Sequence, residues 1–146
     1  MFRQDIDEIK DFSLVEGSET WGESACALSC VFDLVEQLKC KYYTPRKAKL
    51  IAYDLYHIYA IDQNFTVLWV ETLAYFGIDA EVTFTSADYI CKPGEYEILK
   101  LVKPGYAHFV RGDGKGNYTW DSLGIRDAQK DYIVGEKRII RIKGIL

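Results

Sequence analysis

The sequence predicts a single α+β domain over residues 1–146, with N-terminal helices packed on a C-terminal antiparallel β-sheet. Three observations predict it. Apolar residues recur at helical spacing through residues 23–76. From Ile78 the period changes to alternation, as in the EVTFT run of residues 81–85. Between Arg111 and Tyr118 stands GDGKGN, a run that tolerates positive φ and reads as the turn of a β-hairpin. No linker, repeat or low-complexity tract divides the chain.

The elements follow in order. Residues 4–14 suit a short helix or an extended arm, and residues 16–22 (EGSETWG) a loop around Trp21. Residues 23–39 form a central helix, in which Cys26, Cys30, Leu34 and Leu38 step by four into a buried stripe. Two starts suit this helix: a capping box of Thr20 with Glu23, or Ser24 as N-cap one turn later. Thr44-Pro45 opens a second helix, with Leu50, Ile51, Leu55 and Ile58 on its apolar side and His57 near its end. Asn64 or Thr66 caps a third, which Gly77 stops. Strands follow at residues 81–85, 96–102, 106–111, 118–122, 131–134 and 138–143, with Gly135 turning the chain between the last two.

The hairpin carries the first candidate site residues. If Arg111 faces Tyr118, paired positions sum to 229 and His108 lies opposite Asp121. Opposed residues on one face of an antiparallel pair have Cβ atoms roughly 4.5–5.5 Å apart. That suits a carboxylate orienting an imidazole. His57, near a helix C-terminus, suits a solvated side chain instead.

Composition narrows the partners. With 146 residues, 49% of them apolar, the chain builds a real core. Its net charge of −4 has both signs spread along it and no basic patch, which argues against nucleic acid. Residues 1–20 are too polar for a signal peptide, and no run is apolar enough to span a membrane, so a cytoplasmic protein is expected. Four cysteines without a CxxC pair (Cys26, Cys30, Cys40 and Cys91) argue against structural zinc and a disulfide framework. No metal or cofactor is expected, and the sequence does not set the oligomeric state.

A helix opening after a Trp-Gly loop (Trp21-Gly22), followed far downstream by His and then Asp on paired strands, resembles the papain-like cysteine peptidases. The nearest resemblance is to the bacteriocin-processing-peptidase-like branch, through His108-Phe109-Val110 and Trp120-Asp121-Ser122. Small uncharacterised spirochaete and phage proteins with such a domain look similar. The resemblance implies a papain-like fold, a peptide or protein substrate, and a nucleophilic Cys in the first turn of the central helix, with His108 as proton shuttle and Asp121 orienting it.

At the nucleophile the chain departs from that pattern. A papain-type register puts Ala25 in its place and a bacteriocin-type register puts Glu23 there; a shift of one residue puts Cys26 there. The expected oxyanion Gln is Glu19 in the first register. Three readings stay open: Cys26 is the nucleophile, the chain is a pseudoenzyme, or Ala25 replaces a natural cysteine. If Ala25 holds the nucleophile's place, its Cβ faces His108 and Cys26 turns into the core. Trp21, Tyr106, Trp120 and Tyr118 are expected to wall a cleft. The alternative functions are a non-catalytic papain-like module binding a peptide or protein, and an interaction protein without cleft chemistry.

Overall fold

A capping box starts the helical half. The Thr20 hydroxyl accepts from Glu23 N at 3.3 Å, and Thr20 N donates to Glu23 Oε1 at 3.1 Å. It opens only one turn, α1 (Trp21–Ser24), because Ala25 leaves the helical conformation at φ −88°, ψ 24°. The main helix, α2 (Cys26–Lys39), begins one residue later without any side-chain cap. Ser24 is therefore not its N-cap. The computed structural model describes residues 4–123 and 131–146. Gly124, at the edge of the predicted hairpin region, lies outside them.

Two further helices follow, α3 (Pro45–His57) and α4 (Trp69–Tyr75). Thr44 caps α3 by accepting from Lys47 N at 3.2 Å. Its buried face is Ala48, Ile51, Ala52 and Leu55, an i, i+3, i+4, i+7 set. Leu50 falls outside that set and is 55% exposed, and Ile58 has already left the helix. The third predicted helix is shortened. Asp62 Oδ1 accepts from Asn64 N and Thr66 N, and Val67 bridges to Ile61, so neither Asn64 nor Thr66 serves as a cap. Residues 4–14 form turns rather than a helix, yet bury Ile9 and Leu14 in the core.

Among the described residues five strands follow: β1 (Ile78–Ser86), β2 (Glu95–Lys103), β3 (Tyr106–Gly112), β4 (Tyr118–Trp120) and β5 (Ile133–Ile145). They form one antiparallel sheet in the order β1-β5-β2-β3-β4. The fold class is α+β. The core lies between the helices and one sheet face, where Leu28, Val31, Phe32 and Leu34 of α2 join Ile98 and Ile140 in one cluster. A smaller cluster of Leu99, Leu101 and Val110 covers other sheet positions.

The two predicted last strands are one. β5 runs straight through Gly135, whose role is close approach and not a turn. A Cβ there would lie 2.9 Å from Val102 Cγ2, beside the bulge at Lys100/Leu101. Gly135→Ala is expected to cost about 1–3 kcal/mol through this overpacking. Urea denaturation would show it as a lower midpoint, and an unchanged midpoint would contradict the assignment.

A buried ion pair fastens the β3–β4 turn. Lys137 and Glu97 side chains are both fully buried, 2.9 Å apart. Lys137 Nζ also donates to Tyr89 O at 2.7 Å. The second Glu97 oxygen accepts from Gly114 N and Gly116 N, each at 2.9 Å. The GDGKGN turn is thereby held by β2 and β5.

Candidate active site

The hairpin register differs from the expected one. Arg111 pairs with Trp120, and Gly112 with Tyr118, with a bulge between them. Relative to the expected register the returning strand is displaced by two residues at Arg111. An even offset preserves the alternation of faces, whereas a single-residue slip would reverse it. Asp121 consequently sits just past the end of β4 rather than opposite His108, and still reaches it. His108 Nε2 and Asp121 Oδ1 are 2.7 Å apart, with side-chain exposures of 9% and 1%. Leu123 N donates to the same Asp121 oxygen at 2.9 Å, fixing the carboxylate.

Cys26 supplies the third group. It is the first residue of α2 and partly exposed, and it lies close enough to His108 to shift the imidazole. Because Asp121 engages Nε2, Nδ1 is the ring nitrogen left for the thiol. Burial disfavours a charged His108, but the hydrogen bonds to Asp121 and Cys26, together with their charges, outweigh it and raise the imidazole from 6.5 to about 9. The ring is therefore cationic at neutral pH.

The sign of the pH effect follows. A raised histidine stabilises the fold fully below its unfolded value near 6.5, and this stabilisation is lost as pH rises through about 9. The loss should reach about 3 kcal/mol, at about 1.4 kcal/mol per tenfold change. Urea denaturation at pH 6 and pH 9.5 would measure it. The decline should shrink in Asp121→Asn and persist in His57→Asn, which alters the exposed histidine of α3.

Ala25 is fully buried and belongs to the main core cluster, whereas Cys26 is partly exposed. The expectation that Cys26 turns into the core is not met, because the chain breaks between two helices at Ala25 and α2 restarts with Cys26 partly exposed. Glu23 is an exposed cap of α1. Glu19 is also exposed, and its carboxylate accepts from the Ser24 hydroxyl. Cys30 is sealed in the core, where burial pushes its thiol well up. Cys91 lies beside the β3–β4 turn, its thiol raised by burial to about 11.

Two struts set the geometry, and sequence reasoning passed over both. Arg111 of β3 donates to Asp33 Oδ2 at 2.8 Å and to Gln37 Oε1 at 2.9 Å, tying the strand of His108 to the helix of Cys26. Gln4 is 1% exposed and links the segment after Asp121 to α1. Its N donates to Ser122 O (2.9 Å), its Oε1 accepts from Ser122 Oγ (2.6 Å), and its Nε2 donates to Gly22 O (3.1 Å). A partner 118 positions away leaves no periodic signal in the sequence.

Cys26 and its neighbours Ser24 and Ala27 border a cavity of about 630 Å³. Its apolar walls include Phe65, Val67, Trp69, Val82 and Phe109, and Arg138 also lines it. Phe65 holds its wall position at φ 61°, a left-handed conformation that costs an aromatic residue on the order of 1–3 kcal/mol. The expected aromatic walls are elsewhere. Trp21 is fully buried against Phe32 and Phe65, and Trp120 is core, because burying such large apolar surfaces is favourable. Tyr106 is 68% exposed at the start of β3 with Lys103 over its ring, and Tyr118 is exposed as well.

Residues 24–142 match a family described as "Protein of unknown function, DUF261". The chain belongs to DUF261. No curated protein and no solved structure matches the DUF261 chain. The match contains Cys26, His108 and Asp121, and begins beyond Gln4, Glu19 and the capping box. Among the described residues of this DUF261 chain, no group of three or more His, Cys, Asp or Glu side chains is placed to hold a metal, and no helix is long and apolar enough to cross a membrane.

Proposed function

We propose that the protein is a papain-like cysteine hydrolase that cleaves amide bonds in a peptide or protein, with Cys26 as nucleophile, His108 as general acid and base, and Asp121 as its orienting carboxylate. One observation carries this reading: His108, hydrogen-bonded to Asp121, neighbours Cys26, whose thiol stands in the first turn of a helix and lines an apolar cavity. The Cys26 sulfur, its proton passed to His108 Nδ1, attacks the substrate carbonyl carbon and a C–S bond forms. His108 gives that Nδ1 proton to the amine nitrogen as the C–N bond breaks. Water then loses a proton to Nδ1 and adds to the thioester; the C–S bond breaks, releasing the acid, and the sulfur leaves with its proton still held on Nδ1, as at the start. The uncapped first turn of α2 offers backbone N–H groups to the oxyanion. Glu19, a carboxylate in the place of the family's Gln, cannot serve as that donor while ionised. The burial of Ala25 in the core and the place of Glu23 in the α1 cap support Cys26 over either of them as the nucleophile.

Alkylation tests the reading. Iodoacetamide, mapped by mass spectrometry between pH 5 and 9, should label Cys26 faster than the exposed Cys40, and His108→Ala should remove the difference. If Cys26 labels no faster than Cys40, the proposal fails.

A further inference from the structure

The cavity beside Cys26 holds a cation that packing alone does not require. Arg138 stands on β5, paired with Phe84 of β1 and Ile98 of β2, and is only 7% exposed although it lines the cavity. Its guanidinium carbon lies 3.8 Å from the Phe84 ring centroid and 5.3 Å from that of Phe109. Nη1 donates to Glu136 Oε1 at 2.7 Å, and that carboxylate is 41% exposed. Glu136 is also shared with Lys100, at 3.7 Å. Arg138 Nε is buried with no hydrogen-bond partner.

An unmet buried donor costs roughly 1–3 kcal/mol, more on a charged group. An apolar side chain could fill the same space without that cost. The aromatic contacts and the Glu136 bond hold the guanidinium in place at the cavity wall, an arrangement suited to pairing with a planar anion. Glu71 is the only other charged side chain on the described cavity wall, and it is exposed.

The geometry points to Arg138 as a specificity residue: the cavity takes an apolar substrate group that carries a carboxylate, which Arg138 pairs while Cys26 attacks the neighbouring amide. The role of Cys26 here rests on the proposed function; the carboxylate site does not. The carboxylate has two possible sources, a free chain end or an acidic side chain.

Equilibrium binding to the full chain carrying Cys26→Ser separates these points. Three probes are titrated by NMR: N-acetylphenylalanine, its neutral amide, and N-acetylglutamic acid α-amide. At least one acid should bind about tenfold more tightly than the neutral amide, a difference typical of one charge-assisted contact. Whichever acid binds better identifies the source. Arg138→Gln should equalise acid and amide, and Arg138→Lys, keeping the charge without the planar edge, should retain part of the preference. Thermal melting checks that each variant is folded. The inference is overturned if acids and amide bind the Cys26→Ser chain equally, if none binds, or if folded Arg138→Gln keeps the preference. A carboxylate preference alongside slow alkylation of Cys26 would reject the hydrolase reading and leave this site standing.

Discussion

Replacing His108 by alanine is expected to lower kcat/KM on a cleaved peptide by roughly 10³-fold or more, since general acid–base help and nucleophile activation are lost together. Cys26→Ser should abolish turnover to a similar degree, because a hydroxyl beside an imidazolium is a far poorer nucleophile than a thiolate. Asp121→Asn should be milder, on the order of 10–100-fold, as an amide can still accept from Nε2–H without its charge. The pH profile discriminates further. In the proposed reaction His108 must be protonated to supply the leaving amine, so the rate should fall as pH rises through about 9. In Asp121→Asn this alkaline limb should move to lower pH, because a group that raises the imidazole is gone. A profile unmoved by Asp121→Asn, or His108→Ala with parental kcat/KM, would refute the assignment.

Removing one half of the Glu97–Lys137 pair should produce the largest loss of stability outside the core. Glu97→Leu strands a fully buried ammonium and removes the acceptor of Gly114 N and Gly116 N. Such a change typically costs about 3–5 kcal/mol, because an uncompensated charge is left in the interior. The double variant Glu97→Leu with Lys137→Met should recover most of that loss in urea denaturation. Recovery should be incomplete, since the two glycine amides still lack their acceptor. A single variant as stable as the parent would show that the pair does not anchor the turn.

The sequence disclosed what is local. Helical and alternating periods located the two halves of the fold, the Thr20/Glu23 box marked the first helical turn, and GDGKGN marked the hairpin. It misled where a residue serves a distant neighbour. Gly135 has the composition of a turn, but it is glycine because Val102 on another strand leaves no space for a Cβ. Trp21 and Trp120 look like cleft aromatics, but the core claims them. Ala25 and Cys26 were separable only by knowing where α2 restarts, and no capping side chain marks that point. Gln4, Arg111 and Arg138 act through partners that periodicity cannot reveal.

The place of β5 bears on how the protein is made. It is the last strand in the chain, yet it lies between β1 and β2. A nascent chain still lacking β5 has a divided sheet, with one edge of β1 and one of β2 open to unwanted pairing. Lys137, the partner of the buried Glu97, arrives on that same strand. Closure must therefore await the synthesis of β5 and proceed through contacts between distant segments, which slows folding. A chain released before β5 would leave Glu97 without its cation and the β3–β4 turn without that brace.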